Sequence, residues 1–456
     1  MTVRKQIHLA ARPHSRLRSS GGTSIPGVNN TTVWTDPRSK SHIGFASFEH
    51  LARTAERGLF DFFFLAEGLR LREHKGRIHD LDVVGRPESL TVLNALAAVT
   101  ERLGLAATVN ATFNEPYELA RRLASLDHLS GGRAAWNVVT SSDASTGENF
   151  RRGGFLDRAG LPHSRLRSSG GTPITRAAEF VATARELWDS WTADGLSRPF
   201  AHRGRHFDIA GEFTVPRSPQ GHPVVIQAGD SPERREFAAS AADVVFTRHG
   251  TLEAGREFYA DVKGRLAKYG RAPEDLKIMP GVTFVLGDTA AEAQERAAEI
   301  RRQQISPQNA IFALEQIWGV DLSSYDPDGP LPDIDPDPES TLVQGRVRIA
   351  DPLALAEKWR ALSREKGLSI RQTVIEATGR QSFIGTPEAI AAELDEFVRT
   401  DAADGFILVP HLTPGGLDEF VDRVVPLLQE RGAYRTEYTG TTLRSHLGLA
   451  EPVWKG

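Results

Sequence analysis

The chain has 456 residues, with 55 basic against 59 acidic side chains and a formal charge of −4; this balance argues against a dedicated nucleic-acid binder, whose footprint is strongly basic. It has no cysteine, which excludes disulfides, thiolate nucleophiles and cysteine-held zinc or iron–sulfur centres. No run of about 18 apolar residues occurs and the first twenty residues lack the apolar stretch of a secretory signal, so a cytoplasmic protein without a membrane span is expected.

Residues 6–11 (QIHLAA) predict a first strand. Residues 46–57 predict a helix, because Phe48, Leu51, Ala52 and Ala55 share one face, and Gly58 can end it. The apolar run 61–67 (DFFFLAE) suits a strand buried on both faces, as in a parallel sheet. The cycle repeats with helix 88–102, strand 103–110 and helix 116–129, which has Pro116 just inside its start and Gly131 just past its end. Strand 133–141, helix 176–191, strand 223–229, helix 232–241, strand 243–248 and helix 252–269 follow. Strand 277–287, helix 289–303, helix 387–399, strand 404–410 and helix 417–431 complete the series.

Eight strands alternating with helices imply parallel pairing through right-handed crossovers. The expected fold class is α/β, a (β/α)8 TIM barrel, with an open doubly wound sheet as its rival. The chain reads as one barrel domain over 1–456, with insertions at approximately 192–222 and 304–386. The longer lies between strands seven and eight and carries an acidic, proline-rich stretch at 326–340 and a helix near 352–364. Long loops over a barrel's catalytic face are often lids or substrate walls; a solvated excursion is the alternative. The segment PHSRLRSSGGT occurs at 13–23 and again, letter for letter, at 162–172. Its turn-rich composition predicts loops, and so sharp an island reads as an insertion, not as a half-barrel duplication.

Several residues could carry chemistry. Ser231 and Pro232 follow strand 223–229 and predict a capped helix start, which is either a plain cap or an anion site above the strand end. Glu67 ends its strand, as a ligand contact or a solvated carboxylate. Thr108 and Asn110 share a face of strand 103–110 and need polar partners if they point inward. Trp136, Asn137, Thr140, Ser141 and Ser142 crowd the end of strand 133–141, where hydroxyls suit phosphate, sugar or helix capping. His8 is a core histidine or a substrate-side polar group. No dinucleotide fingerprint, phosphate loop, H-E-x-x-H or G-x-S-x-G occurs. No metal is expected and no catalytic residue can be named, which fits chemistry carried by a bound cofactor.

FFFLAEGL (62–69), the stretch 103–142, SPQGHPVVIQAGDSPERREFAA (218–239), DGFILVP (404–410) and the ending 420–449 resemble the flavin-dependent monooxygenases of the nitrilotriacetate and dibenzothiophene-sulfone type, in the bacterial-luciferase-like superfamily. The resemblance covers nearly the whole chain. It implies a two-component enzyme that uses reduced FMN and O2 to oxygenate a small organic substrate. It also implies an NAD(P)H-dependent flavin reductase as partner and, by analogy, a homo-oligomer. Carried over residue by residue, its flavin contacts fall on Glu67, Thr108 and Ser231. Arg158 is the nearest match to a histidine that relatives place ahead of helix 176–191, and the tyrosine they place there is missing. Asn110 is expected to orient the ring or the substrate, and His8 to lie on the substrate side. The alternatives are a reduced-deazaflavin oxidoreductase and a flavin-binding protein without turnover.

Overall fold

The computed structural model describes residues 5–13, 31–71, 73–78, 80, 85–140, 146–147, 149–150, 173–192, 194–247, 249, 251–340, 349, 351–378 and 382–453. Eight parallel strands close into a barrel: β1 (His8–Ala11), β2 (Phe62–Leu65), β3 (Gly104–Asn110), β4 (Ala134–Val139), β5 (Val224–Ala228), β6 (Val244–Thr247), β7 (Lys277–Val282) and β8 (Gly405–Leu408). Each pairs with its neighbours in sequence, and β8 closes on β1 with Ala10 opposite Ile407. An open sheet is therefore excluded.

Alternate residues of each strand face inward. Ala10, Phe62, Phe64, Ala106, Ala135, Ile226, Phe246, Met279 and Ile407 form one cluster inside the cylinder. The residues between them, such as Phe63, Leu105 and Trp136, pack outward under the helices in a second cluster. That double burial is why the strands read as continuous apolar runs. Leu443, Leu447 and Leu449 from the chain's last segment complete the inner cluster. The end where the strands begin, the base, is thus stoppered by the C-terminal segment.

The helices are α1 (Phe45–Arg57), α2 (Ser89–Ala97), α3 (Pro116–Ser130), α4 (Pro173–Trp188), α5 (Pro232–Ala241), α6 (Leu252–Leu266), α7 (Ala290–Gln304), α8 (Pro307–Trp318), α9 (Pro352–Lys366), α10 (Ile370–Thr378), α11 (Pro387–Arg399), α12 (Asp418–Arg423), α13 (Val425–Glu430) and α14 (Leu443–His446). Gly131 takes φ 69 at the end of α3, the left-handed stop that a side chain resists. No helix among the described residues is long and apolar enough to cross a membrane.

Four expectations need correction. Strand 277–287 breaks at Thr283: Phe284–Leu286 leaves the barrel and pairs with Phe383–Gly385. Helix 88–102 ends at Ala97, since the Glu56 carboxylate takes the N–H groups of residues 101–103 at 2.8, 2.6 and 2.9 Å. Helix 417–431 is split between α12 and α13, with Pro426, which has no N–H to donate, early in the second piece. Among the described residues the long insertion holds not one helix but three, α8, α9 and α10, around a core of its own that includes Trp318, Trp359 and Val374. The shorter excursion forms a hairpin, Pro199–Arg203 against Asp208–Glu212.

Candidate active site

The strands' C-terminal ends open into a mouth. Glu67 stands two residues beyond β2, and its carboxylate accepts the backbone N–H of Asn110 at the end of β3. Burial raises its pKa to about 8; the Asn110 amide opposes the shift and nearby Glu88 adds to it. Glu67 therefore carries a proton at neutral pH. Glu88 caps α2, accepting the N–H groups of Leu90 and Thr91 at 3.0 and 2.6 Å.

Thr108 and Asn137 sit opposite each other on β3 and β4. They lie one inward step above Ala106 and Ala135, so both point into the barrel at the floor of the mouth. Asn137 Nδ2 donates to Thr108 Oγ1 at 3.0 Å. Asn137 is 3% exposed, and its Oδ1 has no hydrogen-bond partner among the described residues. A buried acceptor left unmade costs about 1–3 kcal/mol. Nearby, the rings of Phe64 and Phe246 stack 5.7 Å apart, with the Arg12 guanidinium 4.9 and 5.3 Å from their centroids.

Gly229, at φ 143, turns the chain out of β5 where any Cβ would strike the Arg234 side chain. Ser231 then caps α5, its Oγ accepting the Arg234 N–H at 3.4 Å, and Pro232 begins the helix. Glu233, in the first turn of α5, has its pKa lowered first by its own backbone N–H and then by the nearby Ser231 hydroxyl. Beside it, Asp230 accepts the Thr247 hydroxyl at 3.1 Å, and Thr247 meets His249 Nε2 at 2.9 Å. Burial lowers His249 to about 4, so this histidine is neutral.

The structure therefore brings Glu67, Thr108, Asn110 and Ser231 to one end of the barrel. The Asn110 side chain is occupied locally, its Oδ1 holding the Thr112 and Phe113 N–H groups at 2.5 and 3.2 Å in the turn toward α3. His8 lies elsewhere. It opens β1 at the base, with Nδ1 3.2 Å from Asp61 Oδ1, so the substrate-side expectation for it is corrected to a place in a buried polar cluster. Arg158, Ser141, Ser142, the copy 162–172 and the copy 13–23 apart from Pro13 lie outside the described residues.

Two residues gained a place that sequence reasoning did not give them. Asn137 was noticed only within a polar cluster; its inward direction follows from strand parity, but its orphaned oxygen does not. Arg176 in α4 donates to Ala111 O at 3.2 Å and stacks on Phe207 at 4.4 Å, and makes no ion pair among the described residues.

The family model of the luciferase-like monooxygenases matches residues 28–405. The chain is 40% identical over 449 residues to the N-acetyl-S-(2-succino)cysteine monooxygenase of Bacillus subtilis (strain 168), across 95% of this chain and 97% of that protein. It is also 40% identical over 447 residues to nitrilotriacetate monooxygenase component A of Aminobacter aminovorans, across 92% and 93%. A riboflavin lyase solved with modified FMN and riboflavin has a TM-score of 0.71 and 26% identity, covering 98% of this chain and 97% of its own.

Proposed function

This chain belongs to the luciferase-like monooxygenases, a flavin-dependent family, and on that premise we propose that it is the oxygenating component of a two-component system. Reduced FMN from a separate NAD(P)H-dependent reductase would bind in the mouth, and a small organic substrate would be oxygenated with O2. The similarity to a "component A" and to a structure holding modified FMN supports this reading.

One observation carries it: the buried, unpartnered oxygen of Asn137 at the floor of the mouth. That site suits a planar ring with N–H groups on its edge, because a ring donor would satisfy the acceptor that the chain leaves open. Glu67, protonated at neutral pH, can donate to a ring carbonyl or nitrogen. Ser231 and the start of α5 would hold the phosphate; Arg158, the nearest positional match to a histidine of the relatives, is a further candidate flavin contact. Reduced FMN supplies the two electrons that let one oxygen atom enter the substrate while the other leaves as water. The chain's own part is to bind, orient and exclude water.

Anaerobic titration with reduced FMN, followed by oxygen uptake in the presence of a reductase, tests the proposal. Wild-type protein should bind reduced FMN and consume oxygen, whereas a reduced deazaflavin in its place should leave oxygen untouched. Asn137→Leu should bind reduced FMN more weakly while staying folded. If it binds as tightly as wild type, the orphaned acceptor loses its meaning.

A further inference from the structure

α5 opens with two arginines in succession, and the fold treats them differently. Arg235 is used by the protein. Its Nε donates to Asp230 O at 3.0 Å, its Nη1 meets Asp261 of α6 at 2.8 Å, and its guanidinium lies 4.6 Å from the centroid of the Phe258 ring. Arg234 is not used in this way. Its backbone N–H goes to Ser231 Oγ at 3.4 Å, but its side chain makes no hydrogen bond and no ion pair among the described residues. Two carboxylates stand beside it in sequence without taking it up. Asp230 is turned to the Thr247 hydroxyl at 3.1 Å, and Glu233 forms no ion pair with it.

Gly229 fixes where the Arg234 side chain goes. A Cβ at residue 229 would run into Arg234 Cδ and come within 3.0 Å of Nη1. The arginine therefore folds back from the helix and lays one guanidinium nitrogen against the backbone at the exit of β5, two residues before Ser231. A cation in the first turn of a helix stands at the positive end of the aligned peptide dipoles, an unfavourable place unless an anion joins it. A phosphate monoester carries close to two negative charges at neutral pH. The Ser231 hydroxyl and the free amides of α5 offer it hydrogen bonds but no full charge. A guanidinium offers both, with a planar fork that matches two phosphate oxygens.

We propose that Arg234 is the cation of the phosphate subsite and the residue by which this chain tells a phosphorylated flavin from an unphosphorylated one. This rests on the flavin reading given above. FMN and riboflavin share a ring and differ in the phosphate, so the ratio of their dissociation constants isolates the subsite from the ring site. In anaerobic titrations of the reduced flavins, wild type should favour FMN. Arg234→Gln should weaken FMN about tenfold or more, the loss expected of a charge-assisted hydrogen bond, and leave riboflavin unchanged; a misfolded variant would lose both. Arg234→Lys, which keeps the charge and loses the fork, should fall between. Arg235→Gln removes the same charge one residue away and should leave the ratio as it is. Equal affinity of wild type for the two flavins, an unchanged ratio in Arg234→Gln, or an equal drop in Arg235→Gln would overturn the assignment while the flavin reading stands. If wild type binds neither flavin, inorganic phosphate decides. A rise in the melting temperature of wild type with phosphate that Arg234→Gln loses would sink the flavin reading and leave the anion subsite; the same response in both proteins would sink the two together.

Discussion

The two ends of the barrel handle buried polarity in opposite ways. At the base, Asp61 is fully buried, and although burial alone would raise its pKa, Arg435 and His8 outweigh it and hold the group low. Asp243 meets Arg444 at 3.1 Å, and Arg133 gives its side-chain N–H groups to Thr100 Oγ1 and to carbonyls of residues 97, 100, 103 and 130. These partners come from the chain itself, much of them from the C-terminal stopper. At the mouth, among the described residues, Glu67 has one amide, Asn137 Oδ1 has no partner, and Ser231 Oγ takes the Arg234 N–H at a long 3.4 Å. Folding completes the base and leaves the mouth to be completed by something else. Among the described residues the exceptions at the base are Arg435 Nη1 and the two ring nitrogens of His446, buried atoms without a hydrogen-bond partner.

If that contrast is real, mutations at the base should cost stability and mutations at the mouth should cost ligand. Asp61→Ala strands Arg435 in the interior and should lower the unfolding free energy by about 3–5 kcal/mol, read by urea denaturation; a loss near zero would mean the buried pair is not the anchor of the stopper. Leu443→Ala removes a fully buried side chain packed against Gly104 and should cost about 3 kcal/mol in the same assay. At the other end, Ser231→Ala should weaken FMN by about 2 kcal/mol through loss of a hydroxyl bond to a charged oxygen. Its effect on the melting transition should stay that of one lost cap, about 1 kcal/mol. Glu233→Gln should bind FMN more tightly, because it removes a carboxylate charge from the first turn of α5 beside the phosphate; weaker binding in a titration calorimeter would count against a phosphate there.

The smallest and sharpest difference is the sign of the pH response. Glu67 rises from an ordinary 4.5 to about 8 on folding, chiefly through burial. Between those values the unfolded chain ionises while the folded one keeps its proton, so this group's contribution to stability falls as pH rises through that window. His446 moves the other way, lowered by burial from 6.5 to about 4, so its contribution is lost as pH falls from 6.5 toward 4. Denaturation midpoints measured across pH for Glu67→Gln and His446→Gln should therefore flatten opposite limbs of the wild-type profile. Flattening of the same limb by both would end the contrast.

Much of the fold was legible because its signals are local. Buried parallel strands leave apolar runs, and every barrel strand was located by one. α3 announced itself through Pro116 and Gly131, and α5 through Ser231 and Pro232. What escaped notice lay outside the strand–helix rhythm or depended on distant residues. The α8 segment, PQNAIFALEQIW, has a cap in Ser306 and Pro307 and an apolar side that packs in the insertion's core, but no barrel strand precedes it to mark it. α2 stops early because Glu56, more than forty residues upstream, takes the next amides. Of the candidate site, Glu67, Thr108 and Ser231 were proposed from strand ends and family likeness and lie at one end of the barrel, while His8 lies at the other, since a strand histidine does not declare whether it sits at the entry or the exit of a barrel.

The amino-acid sequence alone determined the alternation of strand and helix, the inward parity of Thr108 and Asn137, and the capped start of α5, since each depends on neighbours a few residues away. The tertiary structure decided which polar atoms are satisfied and which are left open. Asp61 finds Arg435, Lys75 finds Glu315, and Asn137 Oδ1 finds nothing, across separations of hundreds of residues or across a closed barrel. A hydrogen bond acts over about 3 Å, so only the closed fold can say which side chains come within reach.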